Sequence, residues 1–443
     1  MFHAASTGAA AAVTETLELM VAVRPTFHPP ALFGPRDRRR RSAPPTTLGS
    51  IDMVIRHHRS LAGRADIVQK SPPLFLERPG AVPDAQIPQL DLRRLGASPA
   101  ERTEFLAELR DAAHRAGFFY LTGHGIEAAL LSELIDVSHR FFGLAEHDKL
   151  AVEMVNSPHF RGYNRVAWER TRGLQDWREQ IDIGAEQSAA ALSPDSPAWL
   201  RLRGPNQWPA ALPELRPIVL RWQTAAAGAL TRLLRAFSLA LGQDAEVLTP
   251  LVVGDPHLLV KLIRYPGREV ADSDQGVGAH KDSGLLTLLL QDEQGGLQVE
   301  VDGAWIDVPP RPDTLVVNIG ELLELASDGY LRATLDRVMT PPAGRERISV
   351  AFFLGAPLDL TVPLLDLPPQ LAAQAHGPEQ DPNNPLFRQV GENYLKGRLR
   401  SHPDVARRHY ADLIGRDTGE MGAKTTGRDC RPASRPATAR SSP

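Results

Sequence analysis

The sequence has almost no cysteine. Its single cysteine, Cys430, excludes an intrachain disulfide framework and a metal site built from thiolates. Any bound metal ion must therefore be held by nitrogen and oxygen atoms.

The chain also lacks a strong net charge and a long uninterrupted apolar run. Fifty Lys and Arg residues against 53 Asp and Glu residues give a formal net charge of -3, so no overall positive field attracts nucleic acid or anionic lipid. The opening segment has no basic start, and Glu15 and Glu18 interrupt its alanine-rich stretch, which argues against a signal peptide or a membrane span. We therefore expect a monomeric cytoplasmic protein whose partner is a small-molecule substrate, with no nucleic acid and no membrane.

Core-forming residues are plentiful. With 443 residues, of which 42% are hydrophobic, the chain can bury a large core. It contains no Walker loop, Gly-x-Gly-x-x-Gly or Gly-x-Ser-x-Gly pattern, so the sequence does not favour nucleotide-binding or α/β-hydrolase functions.

Both ends of the chain differ in composition from its middle. Residues 1–80 combine alanine, proline and serine with an arginine run at 38–41 and show no sustained period of 2 or 3.6, which predicts a disordered extension. The basic run could bind nucleic acid or act as a targeting signal, but we interpret it as a solvated charged segment. Residues 415–443 are poor in apolar residues and are predicted to form a disordered tail that contains Cys430.

The region between these tails changes character near residue 258. Before that point, apolar spacing predicts helices over 99–116, 128–142 and 217–241 and short strands at 87–92 and 118–121. After it, the sequence predicts strands separated by turns, at 258–265, 284–291, 297–301, 304–308, 314–319 and 347–354. This density of strands favours a sandwich or barrel that shares one domain with the helices.

Two short motifs in the strand-rich half carry chemistry. His280 and Asp282 are two residues apart, so strand alternation would point both side chains to one face, where they could bind one cation. An isolated His-x-Asp pair is, however, more often a hydrogen-bonded surface pair. Arg347 and Ser349 share a face in the same way, and an arginine fork with a hydroxyl suits a carboxylate ligand. The alternative for Arg347 is a rim ion pair with an acid such as Glu346.

In order and spacing, these segments resemble the iron- and 2-oxoglutarate-dependent oxygenases of the isopenicillin N synthase-like family, including its bacterial members. The resemblance extends over residues 87–413 and includes GFFYLTGHG at 117–125, RGY at 161–163, DWRE at 176–179 and NYL at 393–395. It implies an α+β, mainly β fold, in which a double-stranded β-helix (jelly roll) carries flanking N-terminal helices. It also implies one oxygenase domain over 86–414, with an N-terminal non-haem dioxygenase region at 86–205 and a jelly-roll core at 255–360.

The resemblance further implies cofactors and site residues. His280 and Asp282 correspond to two of the family's metal ligands. Arg347 and Ser349 correspond to its Arg-x-Ser pair, which holds the distal carboxylate of 2-oxoglutarate, and Tyr265 to a tyrosine beside the oxoacid. The implied cofactors are Fe(II), 2-oxoglutarate and O2, and the implied reaction couples oxidative decarboxylation of 2-oxoglutarate to oxidation of a small organic substrate. No catalytic residue is implied beyond the metal site.

Two positions depart from the family pattern. The asparagine that often stands two residues before the tyrosine is Ile263 here. Family members carry a distal histidine ligand in a segment like GYLRATxHRV, whereas this chain reads GYLRATLDRV at 329–338, with Asp336 in the place of the histidine. The register is otherwise intact, because Arg347 follows eleven residues later, as in the family. The resemblance therefore assigns the third metal ligand to Asp336.

A carboxylate at position 336 leaves three interpretations open. It keeps an oxygen donor but adds negative charge, and it shifts metal preference toward harder ions such as Mn²⁺ or Mg²⁺. The site could be a working centre of one histidine and two carboxylates, a degenerate site that binds without turnover, or a single-base change in an otherwise active lineage. The competing function is a catalytically impaired jelly-roll protein that binds a small acid or a partner protein.

The use of 2-oxoglutarate is also open on this resemblance. Isopenicillin N synthase itself uses no oxoacid, and there the Arg-x-Ser pair binds the carboxylate of the substrate. Bacterial relatives include an ethylene-forming type, which fragments 2-oxoglutarate itself. The sequence does not identify the substrate.

Overall fold

A computed structural model of the protein describes residues 87–269, 274–379, 381 and 384–413. The expectations for residues 1–80 and 415–443, including the arginine run and Cys430, lie outside the described residues. None of the helices in the described ranges is long and apolar enough to cross a membrane.

The N-terminal half of the described chain is mostly helical, and short strands line its edges. Its elements are β1 (Gln89–Asp91), α1 (Pro99–Arg115), β2 (Phe118–Thr122), α2 (Ala128–Phe142), α3 (Glu146–Leu150), β3 (Gly162–Asn164), β4 (Arg170–Thr171), β5 (Leu174–Gln175), β6 (Glu179–Gly184) and α4 (Leu215–Ala240). Short 3-10 turns connect some of these elements. The three predicted helices agree with α1, α2 and α4 to within two residues at each end.

The C-terminal half consists mainly of strands. Its elements are β7 (Pro256–Pro266), β8 (Gln275–His280), β9 (Leu286–Gln291), β10 (Leu297–Val301), β11 (Ala304–Asp307), β12 (Leu315–Ile319), α5 (Glu321–Ala326), β13 (Asp336–Met339), β14 (Glu346–Pro357), α6 (Pro369–Ala372), α7 (Val390–Ser401) and α8 (Pro403–His409). Every strand predicted beyond residue 258 is present.

The strands form two main sheets. The larger has the order β1-β2-β12-β9-β14-β7-β6-β3, and the smaller has the order β11-β10-β13-β8. From β7 to β14 the chain passes repeatedly from one sheet to the other, and the β7–β14–β9–β12 set faces the β8–β13–β10–β11 set. This is the jelly roll that the sequence predicts, and the mainly β fold class with flanking helices is confirmed.

The larger sheet separates two hydrophobic cores. Along β14, Ile348, Val350 and Phe352 point to one face and join the core formed with helices α1, α2 and α4. Ala351 and the β7 residue Tyr265 point to the other face and join the core between the two sheets. The period of two along β14 therefore directs apolar residues outward to the helices and leaves Arg347 and Ser349 on the inner face.

Local signals fix the ends of the first helix. Ser98 and Glu101 form a capping box at the start of α1, and Pro99 occupies its first turn. Gly117 then follows with φ of +65°, and a Cβ at this position would lie 2.2 Å from the carbonyl oxygen of Arg332. Only glycine permits this reversal, which turns the chain directly into β2.

Candidate metal centre

Residues 280 and 336 lie side by side in the smaller sheet. His280 ends β8 and Asp336 begins β13, and the antiparallel register pairs these two residues directly. Directly opposed residues on neighbouring antiparallel strands present their side chains to the same face. Two residues that lie 56 positions apart in sequence are thus brought to one point.

Asp282 reaches the same point from a loop, since β8 ends two residues earlier. Its Oδ2 accepts hydrogen bonds from Thr287 Oγ1 at 2.5 Å and from Asn318 Nδ2 at 2.8 Å. Its Oδ1 lies 3.5 Å from His280 Nε2. The two donors therefore hold one carboxylate oxygen and turn the other toward the histidine. The sequence predicted from strand alternation that His280 and Asp282 share one face. This reasoning applies to His280, which lies in β8, but not to Asp282, which lies in the following loop.

The three side chains form one cluster of potential ligand atoms. His280, Asp282 and Asp336 each offer one such atom, and these atoms lie within 4.8 Å of one another. In the described part of the chain, no other group of three His, Cys, Asp or Glu residues meets this condition. One imidazole nitrogen and two carboxylate oxygens are a donor set that binds divalent first-row metal ions, iron included.

The electrostatics of the cluster favour a positive charge. Asp336 is only 9% exposed, and its Oδ1 is buried without a hydrogen-bond partner among the described residues. Burial raises the pKa of Asp336 to about 7, although His280 opposes this rise. Burial also disfavours the charged form of His280, but the carboxylates of Asp336 and Asp282 outweigh it and raise the histidine pKa to about 10. A buried, unpaired carboxylate oxygen needs a cationic partner, and the residues present fit a divalent ion.

The imidazole of His280 is oriented by its own strand. Its Nδ1 lies 3.0 Å from the carbonyl oxygen of Gly278, which can only accept a hydrogen bond. With Nδ1 bonded to this carbonyl, Nε2 is the nitrogen that faces Asp282, and a metal ion there would take the place of the Nε2 proton. The histidine is therefore oriented to bind a metal ion through Nε2.

A second group of polar side chains lies on the inner face of β14. Arg347 is fully buried, and its guanidinium donates to Ser349 Oγ at 3.2 Å and to Gln291 Oε1 at 2.9 Å. The guanidinium carbon lies 5.0 Å from the ring centroid of Tyr265, which is directly opposite Arg347 in the β7–β14 register. All three residues that the sequence assigned to the oxoacid are thus brought together. Ile263 pairs with Ser349 in the same register.

Arg347 forms no ion pair with an acid of the described residues. No carboxylate in the described ranges lies within 4.0 Å of its guanidinium, and its Nε is buried without a hydrogen-bond partner there. The alternative of a rim ion pair with Glu346 is wrong, because Glu346 is bound by Arg264 and His139 instead. A buried guanidinium that contacts only neutral groups can accept a carboxylate in a bidentate fashion.

Sequence reasoning missed several residues that support these two groups. Thr287 and Asn318 orient Asp282, and Gln291 accepts from Arg347. Each is a polar residue at an inward position of a strand that is otherwise apolar. That contrast is a signal in the sequence, but it does not say which partner each residue has.

The comparison with known families follows the two halves of the fold. Residues 87–211 match the family described as "non-haem dioxygenase in morphine synthesis N-terminal", and residues 255–356 match the family described as "2OG-Fe(II) oxygenase superfamily". A 2-oxoglutarate-dependent dioxygenase, frbJ, from Dothideomycetidae sp. (strain 11243) is 35% identical over 347 residues, which cover 74% of this chain and 93% of that protein. The chain belongs to the 2OG-Fe(II) oxygenase superfamily. A homoarginine-6-hydroxylase from Glycine max is 34% identical over 304 residues, covering 67% of this chain and 88% of the relative.

Solved structures of oxygenases of this superfamily share the fold. Neurospora crassa T7H in complex with alpha-KG and 5-formyluracil superposes with a TM-score of 0.57 at 26% identity, covering 71% of this chain and 96% of that one. A putative 2OG-Fe(II) oxygenase family protein from Caulobacter crescentus has a TM-score of 0.57 at 28% identity, covering 70% and 98%.

These similarities establish the activity class. The protein is a 2-oxoglutarate-dependent dioxygenase, an oxidoreductase that uses Fe(II), 2-oxoglutarate and O2 and acts on a small molecule. The predicted family, fold class, activity and cofactors are confirmed. The comparisons do not favour the catalytically impaired alternative.

Proposed function

We propose that His280, Asp282 and Asp336 hold the iron of this dioxygenase. The observation that carries this assignment is the convergence of their three ligand atoms within 4.8 Å, around a buried Asp336 oxygen that has no hydrogen-bond partner among the described residues. The aspartate in place of the distal histidine is then a working ligand, and the centre has one imidazole and two carboxylates.

Arg347, Ser349 and Tyr265 are proposed to bind 2-oxoglutarate. The guanidinium of Arg347 and the hydroxyl of Ser349 hold the distal carboxylate of the oxoacid. The ring of Tyr265 packs on the guanidinium and keeps the Arg347 side chain in this orientation. Because the arginine is fully buried, its attraction for a carboxylate is weakly screened by solvent. The pair therefore fixes one end of the oxoacid while the other end points to the metal centre.

The residues of this chain supply binding and orientation, and the metal supplies the redox chemistry. When bound, Fe(II) allows O2 to drive the oxidative decarboxylation of 2-oxoglutarate to succinate and CO2, coupled to oxidation of the substrate. His280 presents Nε2 because Gly278 accepts from Nδ1, and Asp282 presents Oδ1 because Thr287 holds Oδ2. The apolar core between the two sheets packs beside the centre, and the His280 side chain stays 33% exposed.

The second carboxylate changes the charge of the centre. Two carboxylates and a dianionic oxoacid place four negative charges around one divalent ion, so we expect weaker 2-oxoglutarate binding than with a distal histidine. Oxygen donors also favour harder ions, so Mn²⁺ should compete with Fe²⁺ more effectively here.

The proposal also includes the boundaries of the domain and the question of the substrate. We infer that residues 86–414 act as one oxygenase domain, with an N-terminal region at 86–205 and a jelly-roll core at 255–360. The relatives act on different molecules, as the name homoarginine-6-hydroxylase and the 5-formyluracil complex of T7H illustrate, so neither substrate is transferred to this chain. The ethylene-forming outcome, the monomeric state, the cytoplasmic location and the absence of nucleic-acid or membrane partners stay predictions.

The test compares the natural chain with Asp336→His. Purified protein is incubated with Fe(II), ascorbate and 2-oxoglutarate, and succinate and ethylene are measured alongside iron affinity. We expect iron-dependent succinate formation by the natural chain and a clear gain in iron affinity and turnover in Asp336→His. If the variant gains in neither property, Asp336 is not at the metal.

A further inference from the structure

The strand that carries His280 is held at its side by a buried acid, Asp176. This side chain is fully buried, and its Oδ1 accepts from the backbone N–H of Gly278 at 3.2 Å and from Gln275 Nε2 at 2.9 Å. The neighbouring Trp177 adds a backbone hydrogen bond to the carbonyl oxygen of Gln275 at 3.1 Å. Asp176 therefore binds β8 along the edge that β13 leaves open.

The backbone of Gly278 links this acid to the proposed metal ligand. The N–H of Gly278 donates to Asp176, and the carbonyl of the same residue accepts from His280 Nδ1 at 3.0 Å. Neighbouring side chains pack closely against Gly278, because a Cβ at this residue would lie 2.9 Å from Gln275 Nε2 and 3.0 Å from Thr171 Cγ2. The orientation of the imidazole thus depends on a residue whose backbone position is set by Asp176.

The other oxygen of Asp176 is bound to a hairpin beside the site. Its Oδ2 accepts from Thr171 Oγ1, which belongs to the β4–β5 hairpin, at 2.7 Å and lies 3.4 Å from an Arg178 nitrogen. Arg178 also pairs with Glu169 at 2.8 Å, and Glu169 in turn pairs with Lys261 of β7 at 2.9 Å. The hairpin, the histidine strand and the larger sheet therefore meet at one buried network of ions.

We propose that Asp176 is a positioning residue that couples the β4–β5 hairpin to the metal ligand His280. The proposal rests on the assignment of His280 as a ligand under Proposed function. By fixing the backbone of Gly278, Asp176 keeps His280 Nδ1 bonded to the Gly278 carbonyl and aims Nε2 at the metal. Residues that hold a ligand histidine through its second nitrogen commonly affect metal affinity by about 10- to 100-fold, and here this control is exerted one residue further away, through the backbone of Gly278.

The test measures binding of Mn²⁺, which is stable in air, to the full-length protein. Asp176→Ala should weaken Mn²⁺ binding by about 10-fold. Asp176→Asn should lose less affinity than Asp176→Ala, since its amide oxygen still accepts from Gly278 while its amide nitrogen no longer accepts from Thr171 or pairs with Arg178. Thr171→Val removes only the bond to the hairpin and should have an intermediate effect. The comparator is Asp182→Ala, because Asp182 is equally buried and bonded to Gln180 and Arg398 rather than to β8.

A second readout separates positioning from folding. In the Zn²⁺-loaded protein, the ¹⁵N shifts of the His280 ring report which ring nitrogen binds the metal ion, and Asp176→Ala should mix Nε2 and Nδ1 ligation while Asp176→Asn should not. Unchanged Mn²⁺ affinity and unchanged ligation through Nε2 in Asp176→Ala would overturn the proposal. So would an equal loss of affinity in Asp182→Ala, which would indicate a general loss of structure. If His280→Ala keeps full Mn²⁺ affinity, the assignment of the ligand itself fails, whatever the Asp176 variants do.

Discussion

Replacing Arg347 by methionine should have opposite effects on stability and on cofactor binding. The arginine is fully buried, and within residues 87–269, 274–379, 381 and 384–413 it donates only to two neutral groups, Ser349 Oγ and Gln291 Oε1. A buried charge without an acidic partner is unfavourable in the folded protein, whereas an unbranched apolar side chain of similar length is not. The same guanidinium is the group that we propose to bind the distal carboxylate of 2-oxoglutarate.

The sizes of both effects follow from these contacts. Replacing a buried ion pair by packed apolar side chains is neutral or stabilises proteins by about 1–4 kcal/mol, and we expect a gain near the lower end of that range for Arg347→Met without ligand, because Ser349 and Gln291 lose their donor. Each hydrogen bond to a charged group contributes about 1.5–3 kcal/mol, and a guanidinium can donate two to one carboxylate. The loss in binding is then about 3–6 kcal/mol, which corresponds to roughly a hundred- to ten-thousand-fold weaker binding of 2-oxoglutarate.

Two assays measure these effects on the same protein samples. Urea denaturation gives the free energy of unfolding without ligand, and calorimetric titration in the presence of Mn²⁺ gives the affinity for 2-oxoglutarate. Arg345→Met is the matched control, since Arg345 is exposed and only two residues away, and it should change neither quantity. Ser349→Ala should weaken binding by about 10- to 150-fold, because it removes one hydrogen bond to the charged carboxylate. An Arg347→Met protein that is less stable than the natural chain, or that binds 2-oxoglutarate equally well, would refute the reasoning.

Two further predictions concern the metal centre and the response to pH. Thr287→Val removes the donor that holds Asp282 Oδ2, so Mn²⁺ affinity should fall by about 10-fold, and an unchanged titration would show that Asp282 needs no such support. Burial lowers the pKa of His402 to about 4 in the folded protein, although Glu169 opposes this. As the pH falls below about 6.5, His402 is therefore protonated in the unfolded chain before it is protonated in the folded protein. The free energy of unfolding should therefore drop by about 2 kcal/mol more between pH 7 and pH 5 in the natural chain than in His402→Gln, and equal slopes in urea denaturation would contradict the buried neutral state.

The ligands of the proposed centre could be predicted because they lie in recognisable segments. His280 and Asp282 form a short motif, and Asp336 is embedded in the segment GYLRATLDRV, whose flanks keep their register. The structure adds what spacing alone does not contain, namely the direct pairing of residues 280 and 336 across two strands. It also shows that Asp282 lies in a loop, so its orientation depends on Thr287 and Asn318 rather than on strand alternation.

The two strands that carry His280 and Asp336 are absent from the list of predicted strands, although His280 was placed at the edge of a strand. The sequence QGVGAH of β8 contains two glycines and one β-branched residue, and β13 has only four residues, so neither shows a strand signal. Tertiary packing creates both strands. Gly276 in β8, for example, permits the ring of Tyr265 to approach within 3.0 Å of where its Cβ would lie. Local propensity cannot report such a requirement, because the partner is in another strand.

The charged network around Asp176 was also beyond sequence reasoning. In the sequence, DWRE at 176–179 is only a segment similar to family members. Its acid and its arginine give no indication of their partners. Glu169, Asp176 and Arg178 are buried because each compensates another, and the pairing of Glu169 with Lys261 depends on the packing of the hairpin against the larger sheet. From sequence alone, a charged residue is predicted to be exposed, because its burial depends on a partner that the sequence does not identify.

The most direct test of the proposed centre is the position of iron in a crystal prepared with Fe(II) under anaerobic conditions. Anomalous scattering measured at the iron absorption edge locates the ion independently of any assumed ligands. We expect a single strong peak bound by His280 Nε2 and by one carboxylate oxygen each of Asp282 and Asp336. A peak bound by His280 and Asp282, with the Asp336 carboxylate turned away from it, would contradict the account.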